Sequence, residues 1–255
     1  MTKIYMVTQN NPTINSLSFL PDFYKTYDGK RYVVAIEKGR RGTKHAQIRI
    51  EFSGSPILEF IDFDGNKKKV DHFFEACRIN KAHCEVSENW TPYEKKDGYY
   101  ICDTDNEEIR MQRFGPLTEA QKGLIRNAQA QNDREVTVWY DDEGNHGKSW
   151  LVSALWERGK AHRVRATGSC DKMINDVASK FIKEGKREFL FIDIPRASKW
   201  KPEMYEAIEI IKDGLIDDPR YQSQEINIKG TKVVIMTNTL PKLDKLSKDR
   251  WKFYQ

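Results

Sequence analysis

The sequence predicts two successive folds: a strand-rich α+β first half, then an α/β second half. Three observations carry this. Short runs rich in β-branched and aromatic residues recur between positions 4 and 103, with two brief helical patterns among them. An acidic, turn-rich stretch, Asp103–Glu108, then breaks the pattern. From Arg134 onward apolar strand-like runs alternate with helical ones, the rhythm of a parallel sheet with helices on its faces. The expected division is one domain over 1–110, a helical linker or oligomer contact over 111–131, and a second domain over 132–255.

In the first half, Ile4–Thr8, Arg31–Glu37, His45–Phe52 and Tyr99–Asp103 read as strands. Side chains alternate along a strand, so Ala46, Ile48 and Ile50 share one face while His45, Gln47, Arg49 and Glu51 share the other. Asp71–Ile79 and Thr91–Asp97 read as short helices, the second opened by Thr91 as cap and Pro92 in the first turn. Leu117–Gln131 is an Ala/Gln-rich helix. Strands then follow at Val136–Tyr140, His162–Ala166, Glu188–Ile194, Glu225–Ile228 and Lys232–Thr237. Helices fall at Lys148–Arg158, Asp171–Glu184 and Pro202–Leu215.

Bulk composition narrows the class. Hydrophobic residues make up 38% and charged residues 32%, a globular balance. No apolar run approaches the ~20 residues of a membrane helix, so no membrane partner is expected. Met1-Thr2-Lys3 leads straight into a strand, which predicts no secretory leader. Cys77, Cys84, Cys102 and Cys170 lack the short paired spacing of a zinc or disulfide framework, and reduced thiols are expected. The net charge is +5, and residues 1–110 balance 17 basic against 17 acidic groups. The excess therefore lies in the second half, where it favours a polyanionic partner.

Two chemical kits stand out. On the polar face of the third strand, His45 and Gln47 with a carboxylate would make a small N/O site for Mg²⁺ or Mn²⁺. Glu37, at the end of the preceding strand, is the candidate carboxylate. Tyr93 and Lys96, three apart on a short helix, face one way. Tyr93 would be a nucleophile and Lys96 would orient a phosphate or stabilise a leaving oxygen. Taken singly, His-x-Gln also reads as an exposed strand face, and Tyr-x-x-Lys as surface.

The second kit follows a strand. Gly144-Asn145-His146-Gly147-Lys148-Ser149 would cradle the phosphates of ATP with backbone N–H groups, Lys148 reaching the β- and γ-phosphates and Ser149 holding Mg²⁺. Asp142 stands where the usual loop begins with Gly, and it and Glu143 bring negative charge near a polyanion. Phe189-Leu190-Phe191-Ile192-Asp193 ends in an acid suited to Mg²⁺, although Ile194 follows in place of a second acid. Lys232–Asn238 is another apolar strand, with Asn238 placed to sense the γ-phosphate. Each alone also reads as a central strand of any α/β protein.

Together the motifs carry a resemblance. Val7-Thr8-Gln9-Asn10-Asn11-Pro12, His45-Ala46-Gln47 and Tyr93-Glu94-Lys95-Lys96-Asp97-Gly98 resemble, in order, the three motifs of the HUH-type endonuclease domain of replication initiators (Rep) from circular single-stranded DNA viruses. Ala82-His83-Cys84-Glu85 is similar to the His-x-Glu segment ahead of the third motif. The second half resembles the superfamily 3 helicase domain of the same family, down to Leu246-Ser247-Lys248-Asp249-Arg250-Trp251. The likeness runs from about Met6 to Trp251 and leans toward the smacovirus and nanovirus type, on Phe191-Ile192-Asp193-Ile194-Pro195-Arg196 and the compact length.

The resemblance implies an antiparallel sheet flanked by helices, then a P-loop helicase domain. It implies Tyr93 as nucleophile, Glu37, His45 and Gln47 as metal ligands, and Arg250 as an arginine finger acting on a neighbouring subunit. Lys229, ahead of the sensor strand, would grip DNA in a central pore. The activity implied is rolling-circle initiation: nicking and rejoining origin DNA through a 5′-phosphotyrosine, with ATP-driven unwinding. Its partners would be viral origin DNA (a hairpin with a single-stranded loop), further copies of the chain in a hexamer, and host replication machinery. The setting would be the host nucleus in a eukaryote and otherwise the cytoplasm. Two other readings stay open, a nucleic-acid-binding ATPase without nuclease activity and a non-catalytic origin-binding initiator.

Overall fold

The computed structural model describes residues 2–13, 15–39, 41–91, 93–218 and 224–254. The chain divides into two compact units, Met1–Arg110 and Met111–Gln255.

Unit 1 is built on a five-stranded sheet from β1 (Lys3–Asn10), β2 (Gly29–Lys38), β3 (Lys44–Phe52), β6 (His83–Ser87) and β7 (Tyr100–Cys102), in the order β6-β1-β3-β2-β7. Every pairing within it is antiparallel. One face is apolar: Tyr5, Val7, Ala46, Ile48, Ile50 and Phe52 pack with Leu20 of α1 (Leu20–Thr26) and with Phe73 and Cys77 of α2 (His72–Ile79). Each fully buried side chain of this kind contributes about 1.5–3 kcal/mol. Asp71 caps α2 by accepting from the Phe73 and Phe74 N–H groups, and its other oxygen accepts from the Tyr5 hydroxyl at 2.7 Å. A hairpin, β4 (Ile57–Ile61) with β5 (Lys67–Asp71), precedes α2.

The helix expected over 91–97 is a single 3₁₀ turn, Tyr93–Lys95, followed by Gly98 at φ +68°. Seven residues closed by glycine are too few to sustain an α-helix by propagation, and Glu94 is turned toward Arg49 of β3, with which it pairs. The Pro92 expectation lies outside the described residues.

Unit 2 holds a five-stranded sheet in the order β14-β8-β13-β10-β9. Its strands are β8 (Val136–Tyr140), β9 (Ala161–Arg165), β10 (Phe189–Asp193), β13 (Lys232–Thr237) and β14 (Trp251–Tyr254), all paired in parallel. Alternate strand residues serve two helical layers. Val138, Leu190, Ile192, Val233 and Ile235 pack with α6 (Cys170–Glu184) and α7 (Pro202–Asp213). Trp139, Phe189, Phe191, Val234 and Met236 pack with α4 (Glu119–Gln129) and α5 (Lys148–Glu157). The expected linker helix is thus part of this core: Leu124 and Ala128 of α4 are fully buried. A short α3 (Glu107–Phe114) precedes it, and an antiparallel pair, β11 (Leu215–Asp218) with β12 (Gln224–Asn227), lies between α7 and β13. Among the described residues no helix is long and apolar enough to cross a membrane.

Candidate functional site

Strand register assembles the first site. Glu37 of β2 lies opposite His45 of β3, and Gln47 lies between Ala35 of β2 and Thr8 of β1. The His45 Nε2 stands 3.4 Å from Glu37 Oε2, and Thr8 Oγ1 donates to Gln47 Oε1 at 3.0 Å. Lys96 Nζ reaches the same Glu37 oxygen at 3.1 Å and sits 4.1 Å from the centre of the Tyr93 ring. Burial works against its charge, yet the Glu37 carboxylate and the Tyr93 phenol outweigh that and hold the ammonium above the ordinary lysine range. Tyr93 itself is 66% exposed. Glu37, His45, Gln47, Tyr93 and Lys96 are therefore grouped at one end of the polar sheet face.

The donor set suits a hard divalent cation. Glu37 is 8% exposed; its Oε2 lies near His45 Nε2 and Lys96 Nζ, while its buried Oε1 has no hydrogen-bond partner and is left with unused donor capacity toward a cation. Among the described residues no group of three or more His, Cys, Asp and Glu is gathered; here the third ligand would be the Gln47 amide. The Lys96 ammonium takes the cation's part against Glu37.

Arg49, two positions beyond Gln47 on the same face, escapes a motif-based reading. Its guanidinium is 7% exposed and pairs with Glu94, also 7% exposed, through Nε at 3.1 Å and Nη2 at 3.1 Å. Nη1 donates to Ser87 Oγ and the Asn89 carbonyl, each at 3.0 Å. This buried pair fastens the Tyr93 turn to β3. His83 and Glu85 of β6 pair with each other at 2.7 Å on an exposed surface.

The second site lies at the carboxyl ends of β8, β10 and β13, where open α/β sheets bind ligands. Gly144 (φ +82°), Asn145 (φ +66°) and Gly147 (φ +76°) give the loop three left-handed residues, and Gly147 opens α5. Gln121 of α4 donates to the Gly147 carbonyl at 3.4 Å. Lys148, Ser149, Asp193, Arg196 and Asn238 line a pocket of about 240 Å³. Asp142 and Glu143 are exposed, and the acid that reaches inward is Asp141. Its carboxylate accepts from Lys148 Nζ at 2.7 Å, the Gly144 N–H at 2.7 Å and His146 Nδ1 at 2.9 Å. Burial opposes its ionisation, but these donors hold its carboxyl well below the usual range. Asn238 donates to the Asp141 carbonyl, and Asp193 is ion-paired with Arg163 of β9.

Two expected site residues lie apart from the phosphate loop. Arg250 is 3% exposed and ion-paired within its own chain, to Glu209 at 3.0 Å and Asp213 at 3.1 Å on α7. A side chain so buried and paired does not project to a neighbouring subunit. Lys229 is exposed, as a DNA-gripping group must be, but it sits in the turn between β12 and β13. β13 begins at Lys232, beside Phe189 at the start of β10, so Lys229 lies at the amino end of the sheet, opposite the phosphate loop.

No protein family matches the chain, and no curated protein matches it. Among solved structures it is similar to a formyltetrahydrofolate deformylase from Pseudomonas putida KT2440, with 8% identity and a TM-score of 0.21. That match covers 94% of this chain and 51% of the deformylase, so the chain spans about half its length. A likeness this slight does not define a shared fold.

Proposed function

We propose that the chain is a rolling-circle replication initiator, nicking and rejoining single-stranded origin DNA in unit 1 and unwinding DNA with ATP in unit 2. The observation that carries it is the exposed Tyr93 phenol fastened beside Glu37, His45 and Gln47, with Lys96 bridging the tyrosine and the carboxylate. A Mg²⁺ or Mn²⁺ ion held by Glu37, His45 and Gln47 would polarise the scissile phosphate. The Tyr93 oxygen attacks phosphorus, the bond to the 3′ oxygen breaks, and the 5′ phosphate stays on the enzyme while a 3′-OH is freed for a host polymerase. Lys96 steadies charge on the phosphate or the departing oxygen. Reversal of the same step joins the ends without ATP. In unit 2 the loop of Gly144, Gly147, Lys148 and Ser149 receives ATP, with Asp193 toward Mg²⁺ and Asn238 at the γ-phosphate.

The test is end-labelled hairpin DNA incubated with Mn²⁺, or with EDTA, and run on a denaturing gel. A metal-dependent protein–DNA adduct is expected, abolished in Tyr93→Phe with DNA binding retained. Adduct formation at the wild-type rate in that variant assigns the nucleophile elsewhere. The rival reading, an ATPase without nuclease chemistry, draws on the Lys96 ammonium already satisfying Glu37. ATP turnover with no adduct on a broad panel of hairpins decides for it.

A further inference from the structure

An NTP site that hydrolyses needs a cation for the charge that develops as the γ-phosphoryl group transfers. Arg250 is committed to Glu209 and Asp213, and Arg163 to Asp193. Lys148 is held by Asp141. One further cation lines the same pocket. Arg196 follows Asp193 by three residues, on a loop held by the Ile194 N–H donating to the Met236 carbonyl at 2.9 Å and the Ser198 N–H donating to the Pro195 carbonyl at 2.8 Å.

The Arg196 guanidinium crosses the pocket to the phosphate loop. Its Nη2 donates to the carbonyls of Asp142 at 3.2 Å and Glu143 at 2.7 Å. Its approach depends on Gly144: a Cβ there would lie 2.6 Å from Arg196 Nη2. Lys148 and Arg163 rest on carboxylates, whereas these partners of Arg196 are neutral carbonyls. Exchanging a neutral acceptor for a phosphate oxygen gains a charge-assisted, forked contact, so Arg196 is the cation most readily transferred to a bound triphosphate.

We infer that Arg196 is a catalytic residue of the nucleotide site, an arginine finger supplied in cis that moves from the loop carbonyls to the γ-phosphate of ATP. The inference rests on the nucleotide-binding reading above. Water attacks the γ-phosphorus, the bond to the β–γ bridging oxygen breaks, and ADP leaves with that electron pair. The proton of the water passes to solvent as inorganic phosphate forms, and Arg196 neutralises the intervening charge without gaining or losing a proton.

The experiment uses the full chain and compares Arg196→Ala and Arg196→Lys with the wild type. It measures Mg²⁺-dependent ATP turnover and the affinity of a fluorescent non-hydrolysable ATP analogue. In Arg196→Ala, kcat is expected to fall about 10³-fold while analogue affinity stays within about threefold. Arg196→Lys should recover part of the rate. Mixing Arg196→Ala with Lys148→Ala chains should restore nothing, because finger and loop must share a chain. Unchanged turnover in Arg196→Ala overturns the assignment, and so does restored turnover on mixing, which would place the finger in trans. A wild-type chain that binds no analogue removes the nucleotide site itself and this role with it.

Discussion

Arg49 shows how much a single side chain can organise. It stands at the third polar position of β3 after His45 and Gln47, and its pair with Glu94 fixes the residue adjoining Tyr93. Breaking a buried pair from one side strands a charge at a cost of about 3–5 kcal/mol. Arg49→Met is therefore expected to lower the unfolding free energy of unit 1 by that order, read by denaturant titration. Arg49→Met/Glu94→Leu should regain most of the stability, since an apolar pair can replace a buried ionic one. Its adduct formation should stay slow, because nothing then fastens the Tyr93 turn; full recovery of both would make the pair purely structural. The period of the strand already put Arg49 on the face of His45 and Gln47. It did not reveal Glu94 as partner, since that pairing joins two distant segments. The contacts of Asp141 and Arg196 with the phosphate loop were hidden for the same reason: motif spacing points to Lys148, and Arg196 enters the sequence reading only as the end of a segment in the family likeness, while the groups that engage the loop are identified by where the chain folds back.

At the scale of elements, legibility followed burial. Val136–Tyr140 and Lys232–Thr237 are central strands whose apolar character is dictated from both faces, and both fall where the pattern put them. Asp71 was expected as the first residue of a helix and is its cap, which moves the boundary by one. The strands that were missed, β4, β5, β6, β11 and β14, are short, lie at edges or in two-stranded pairs, and carry mixed exposure, and the short helices α1 and α3 were missed with them. Helix α7 adds a testable electrostatic feature. Lys212 is 6% exposed, donates to Gln131 Oε1 at 3.0 Å, and is pushed down to about 8 by burial, with Lys232 adding repulsion. The unfolded lysine titrates near ~10.4, so between these values the unfolded chain binds more protons and stability rises with pH. The penalty is fully present below pH 8. Relative to Lys212→Met, the wild type should gain on the order of 2 kcal/mol between pH 7 and pH 10, measured by denaturant titration; parallel profiles would mean that Lys212 keeps its proton.

At the scale of the whole molecule, the two candidate sites are each complete within one compact unit. Their activities should separate. Lys148→Ala is expected to abolish ATP turnover and leave Tyr93 adduct formation at the wild-type rate, while Tyr93→Phe does the reverse. Joint loss from either substitution would show that the two reactions share machinery. The units also differ in how their sheets close. In unit 1, β2 pairs with β3, the strand that directly follows it in the chain. In unit 2, β8 gains one of its neighbours only when β14 docks beside it, and β14 follows the other four strands of that sheet in sequence. During synthesis, then, the apolar β8 emerges well before β14 and keeps an open edge until β14 too has left the ribosome. Such an edge templates pairing with other chains. Unit 1 can fold while β8 of unit 2 still has an unpaired edge, so the aggregation-prone stage belongs to unit 2.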